Sequence, residues 1–112
     1  MARVEILPSL EEEINKKFKK ESVTVFEFLK TLEKEPKKGK PLGVVGGIAI
    51  KELKYKSFRF YFIADAHKIQ FLNKEELHNL LIRFVRMSNK KYQQENIDEI
   101  RKILLSTGFE II

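Results

Sequence analysis

The stretch KELKYKSFRFYFI, Lys51 to Ile63, decides the fold. With a two-residue turn at Lys56 and Ser57 it reads as a β-hairpin in which Tyr55 pairs with Phe58, Lys54 with Arg59, Leu53 with Phe60 and Glu52 with Tyr61. Side chains alternate across a sheet, so Leu53, Tyr55, Phe58, Phe60 and Phe62 share an apolar face, while Glu52, Lys54, Arg59 and Tyr61 share the opposite one. The first face reads as core and the second as a basic working surface. The turn holds neither Gly nor Asn, so a longer loop or a slipped register, which exchanges the two faces, stays open.

Working outward, RVEIL at Arg3 to Leu7 reads as a short first strand ended by Pro8. Ser9 and Glu12 have capping-box spacing ahead of an apolar stripe of Leu10, Ile14 and Phe18, and Thr24 with Glu27 repeats that spacing before Val25, Phe28, Leu29 and Leu32. The two stretches predict a helical hairpin that ends near Pro36. EPKKGKPLG follows as a turn-rich basic connector. Its glycines lie among lysines, but they match neither a P-loop nor a dinucleotide-binding sequence and do not lead into a helix, so they read as loop and strand-entry positions. From Val44 the chain turns β-rich, with Gly46-Gly47 placed to seat a bulge.

Beyond the hairpin, a turn at Ala66 and His67 leads into KIQFL as a third meander strand, and Asn73 is placed to cap a short KEELHNL helix. LLIRFVRMS, Leu80 to Ser88, reads as a buried strand because Ile82, Phe84 and Val85 favour sheet; one continuous helix through Lys91 is the alternative. Gln94 to Thr107 has Ile97, Ile100, Ile103 and Leu104 at helical spacing, with Gly108 as C-cap and FEII as a tail. The fold class expected is therefore α+β: an N-terminal helical hairpin on a twisted antiparallel sheet of about four to five strands, with a C-terminal helix.

Composition sets the outer bounds. The 112 residues suit one domain, and 43% hydrophobic residues with 9 Phe supply a core. A net charge of +6 and a pI near 9.5 favour polyanionic partners such as nucleic acid, a ribosome surface or an acidic protein segment. The chain has no Cys, which removes disulfide scaffolds, thiol nucleophiles and Cys-based metal sites. Without a long apolar run or a signal-peptide pattern, the expected location is cytoplasmic, with no membrane partner.

The order of these elements resembles the RelE/ParE toxin superfamily of type II toxin-antitoxin systems, in its RelE/HigB-like branch. The resemblance covers most of the chain. It rests on the early helical hairpin, the KPLG connector, the run IAIKELKY followed by FRFYFI, and RFVRMSNKKYQQ before the closing helix. It implies two helices before a twisted sheet with basic residues on its concave surface. It further implies a metal-independent endoribonuclease without a cofactor, acting on mRNA at the ribosome, monomeric alone and hetero-oligomeric with its cognate antitoxin. On this resemblance the catalytic residues are Arg59, Arg86, Lys54 and Tyr92. Lys51, Lys90, Lys91 and Tyr61 are the RNA-binding residues, and the hairpin register favours Lys54 over Lys51 for the basic position of the preceding strand. KIQFLNKEELHNL looks like an insertion relative to the compact toxins.

The residue types suit that chemistry. Cleaving RNA without a metal needs a 2′-hydroxyl activated, charge on phosphorus stabilised and a leaving oxygen protonated. Arg59 and Arg86 suit phosphate because guanidinium is planar, permanently charged and bidentate. Lys54 is the candidate base, since a like charge at Arg59 disfavours its protonated form. Tyr92, and less strongly Tyr61, can stack on a base or donate a proton. The plainer reading of Arg59 and Lys54 beside Glu52 is a solvated sheet face. Two rival functions are a non-catalytic binder of RNA, ribosome or protein on the same surface, and a ParE-like gyrase poison. His67 and His78, without a second His at ligand spacing, read as surface residues.

Overall fold

A computed structural model describes residues 1–107, so the Gly108 cap and the FEII tail lie outside the described residues. Five strands form one sheet: β1 (Arg3–Ile6), β2 (Lys40–Val45), β3 (Ile48–Tyr55), β4 (Phe58–Asp65) and β5 (Leu81–Asn89), in the order β1-β5-β4-β3-β2. Among the described residues the α-helices are α1 (Pro8–Phe18), α2 (Ser22–Lys30), α3 (Ala66–Phe71) and α4 (Gln93–Thr107). The architecture is α+β as expected, and the LLIRFVRMS segment is a strand. The sheet is mixed, because β1 runs parallel to β5 while the other pairs are antiparallel.

The hairpin of Lys51 to Ile63 adopts the register read from the sequence: Tyr55 faces Phe58, Lys54 faces Arg59, Leu53 faces Phe60 and Glu52 faces Tyr61. Lys56 supplies the positive φ of 53° that the two-residue turn requires. One sheet face carries Leu53, Phe60, Phe62, Ile82 and Phe84 against Leu10, Ile14, Val25 and Leu29 of α1 and α2. Phe60, Phe62 and Phe84 are fully buried there, each stabilising by roughly 1.5–3 kcal/mol. The opposite face carries a second cluster, in which Ile50, Tyr61, Ile63 and Val85 meet Ile97, Ile100 and Leu104 of α4.

Local chemistry corrects several expectations. The N-terminal helices form one helical run, turned at Lys19 (φ 50°) and joined through a 3₁₀ turn at Lys19–Glu21, instead of two helices separated by a loop. Neither Ser9 nor Thr24 caps: α1 begins with Pro8 at its first turn, where a missing N–H costs nothing, and Thr24 lies inside α2. Gly46 and Gly47 (φ 55° and 81°) make the two-residue turn between β2 and β3, and the irregularity in that pair falls between Pro41 and Gly43. KPLG is therefore part of an edge strand.

KIQFL is helix, not strand. Asp65 accepts a hydrogen bond from the Lys68 N–H (2.9 Å) and starts α3, from which Ile69 packs against the first core. Asn73 and Glu76 exchange backbone-to-side-chain hydrogen bonds of 3.0 and 2.9 Å, yet the segment behind them closes as turns, without continuing as a helix. Leu77 and Leu80 anchor those turns in the core.

Candidate anion-binding face

On the α4 side of the sheet the pairings set side chains in two rows. Lys54, Arg59 and Ser88 lie side by side across β3, β4 and β5, and Glu52, Tyr61 and Arg86 form the next row. Neighbours within a row are about 4.5–5.5 Å apart at Cβ, and the rows are separated by roughly 7 Å, two residues of strand rise. The hairpin register created the β3–β4 half of this grid. Ser88 and Arg86 joined it through β4–β5 pairing, which no local pattern announces.

Hydrogen bonds and ion pairs fix the grid. Arg59, with a side chain only 12% exposed, holds its Nε 3.9 Å from Glu52 Oε1, and Gln93 at the start of α4 donates Nε2 to Glu52 Oε2 at 2.8 Å. Ser88 Oγ lies 3.0 Å from the Asn89 carbonyl, to which it can donate, and 2.7 Å from the Tyr61 hydroxyl, in a bond that either hydroxyl can donate. Burial of Tyr61 is the main cause that holds its hydroxyl above the usual phenol range; Ser88 opposes the shift. Arg86 Nη1 lies 3.5 Å from Glu99 of α4. Lys54 is exposed.

Lys90, Lys91 and Tyr92 form the 3₁₀ turn between β5 and α4, where Asn89 accepts from the Tyr92 N–H (3.3 Å) and Asn96 donates to the Tyr92 carbonyl (2.9 Å). Tyr92 is 47% exposed, with Lys91 Nζ 5.5 Å from the centre of its ring. Two of the eight predicted residues are out of an RNA's reach: Tyr61, fully buried beneath α4, can neither stack on a base nor bind RNA, and Lys51 lies on the other face of the sheet. Odd-numbered residues of β3 point toward α1 and α2, so Lys51 is buried under the Lys37 carbonyl, to which Nζ donates at 3.0 Å, and lies 5.9 Å from the centre of the Phe62 ring. Desolvation first, and the charge of Lys37 second, push its pKa down. It is a structural cation, out of reach of an RNA on the Arg59 face.

A cleft of about 380 Å³ opens where α1, the end of β5 and the start of α4 converge, lined among others by Glu13, Phe58, Ser88, Tyr92, Glu95 and Asn96. Sequence reasoning missed it, because its walls come from three distant segments. Partial burial raises the Glu13 pKa, against the pull of Lys17 and Arg86. A larger cavity of about 570 Å³, between Met1, Glu33, Pro36 and His78, touches none of the eight residues. Glu52 was visible in the hairpin as a face-mate of Arg59; Gln93 and Glu99 carried no signal beyond their place in an amphipathic helix.

No protein-family model, curated protein or solved structure matches the chain. Among the described residues no helix is long and apolar enough to cross a membrane.

Proposed function

We propose that the protein is a RelE-type toxin of a toxin-antitoxin pair: a metal-independent endoribonuclease that cuts messenger RNA on the ribosome and is silenced by a cognate antitoxin. The observation that carries this reading is the pair of rows, which bring Lys54, Arg59 and Arg86 onto one face with Tyr92 following β5. In the reaction, Lys54 takes the proton of the 2′-hydroxyl as that oxygen bonds to phosphorus. Arg59 and Arg86 hold the phosphate oxygens, and Tyr92 protonates the departing 5′-oxygen. Glu52 and Gln93 keep the Arg59 guanidinium in place, the support a short-lived anionic transition state requires. The net charge of +6 suits both RNA and an acidic antitoxin segment in a cytoplasmic hetero-oligomer.

The pairing of Arg59 with Glu52 also favours a second reading, in which the face binds RNA or ribosome without cleaving it, because a neighbouring carboxylate spends part of the guanidinium charge. Programmed ribosomes separate the two. Incubation with the full-length protein and mapping of messenger ends is expected to give discrete cuts, reduced about 10²–10³-fold in Arg59→Ala. Binding with intact messenger rejects the nuclease and leaves the binder.

A further inference from the structure

The cleft beside Tyr92 adjoins the proposed RNA face. It shares Ser88 with the first row, and Glu99, which is paired with Arg86, is also among its lining residues. Its volume of about 380 Å³ falls at the lower end of the ~300–1,000 Å³ typical of small-molecule sites, a size for one flat heterocycle. We propose that this cleft receives one unstacked RNA base, and that it accepts bases bearing an exocyclic amino group and rejects uracil. The proposal rests on reading the basic face as an RNA surface.

Three features of the lining carry it. Tyr92 is half-exposed and offers a ring, the platform on which a single-stranded base stacks. Glu13, on which Lys17 and Arg86 pull, and Glu95 stand in the lining and, when ionised, only accept hydrogen bonds. Adenine, cytosine and guanine each offer an exocyclic N–H to such an acceptor. Uracil flanks its single N–H with two carbonyl oxygens, so at least one of them meets carboxylate lone pairs. A cationic guest would meet two ammonium groups, Lys17 in the lining and Lys91 over the Tyr92 ring, as well as the carboxylates of Glu13, Glu95 and Glu99. A neutral base avoids that repulsion, while its phosphate stays outside on Arg59 or Arg86.

The test titrates ¹⁵N-labelled full-length protein with AMP, CMP, GMP and UMP, following the amide signals of Ser88, Tyr92 and Asn96. The expected result is that UMP binds at least about fivefold more weakly than the other three. Glu13→Gln combined with Glu95→Gln should bring UMP level with them, since a side-chain amide donates as well as accepts. Tyr92→Ala should weaken all four alike. Equal binding of UMP in the unaltered protein, shifts confined to other residues, or no shift at millimolar nucleotide overturns the proposal. So does a response of these signals to N-acetyl-arginine amide alone, which would assign the cleft to a basic side chain of a protein partner. If nucleotides are discriminated but ribosomal messenger stays intact, the nuclease reading fails and the base site stands. If messenger is cut but UMP binds like the others, the reverse holds.

Discussion

Lys51 shows how a single strand position decides between surface chemistry and core. One residue on either side of it, the chain faces α4; at Lys51 it faces the helical run, and an ammonium group has been drawn under the Lys37 carbonyl and beside Phe62. Its pKa is lowered in the folded protein, so between that lowered value and about 10.5 the unfolded chain binds the proton and the folded one does not. Stability carried by this group therefore rises with pH through that window. Urea unfolding from pH 7 to 11 is expected to show the rise in the unaltered protein and a flatter profile in Lys51→Met, which should be at least as stable at pH 7. From sequence alone Lys51 and Lys54 were both basic residues of one strand. Parity separates them, but the turn without Gly or Asn left the register open in the sequence, and the β3–β4 pairing settles which face Lys54 shares with Arg59.

At the scale of elements, the connection into β2 is tightest at Gly39. Its φ is 110°, and a Cβ there would stand 2.7 Å from the Phe62 ring and 3.1 Å from the Glu52 carbonyl oxygen. Gly39→Ala is expected to cost about 2 kcal/mol or more in urea or thermal unfolding. Gly46→Ala, in a turn where nothing lies within 4 Å, should cost clearly less, since only the backbone conformation is strained. The elements that were legible are those with redundant signals: β3, β4 and α4 combine periodicity with length. α3 was not, because Ile69 and Phe71 alternate as a strand would, while a short cap by Asp65 decided for helix and left Phe71 largely exposed. The capping boxes at Ser9 and Thr24 misled for the opposite reason. Their spacing is local, but the helix start is set by Pro8, and the second helix continues directly from the bend at Lys19.

For the whole molecule, the net charge of +6 would make the proposed RNA binding a matter of counterion release. Lys90 and Lys91 are exposed beside Tyr92, away from the paired cations of the rows. If each contacts a phosphate, Lys90→Ala with Lys91→Ala should lower the slope of log affinity against log salt by about 1.4 on a single strand, measured by fluorescence anisotropy. Unchanged slope would place the RNA elsewhere. The parallel pairing of β1 with β5 bears on a different matter, the birth of the protein. Glu5 meets Arg83 across a separation of 78 residues, and β5 sits between β1 and β4. Until Leu81–Asn89 has been synthesised, the first strand has no neighbour and the inner edge of β4 stands open. Closing so long a loop is slow relative to helix or hairpin formation. The same late strand brings Arg86 and Ser88, with Tyr92 directly behind it, so a nascent chain halted before β5 holds half a grid. The grid is complete only once β5 has emerged and paired with β4.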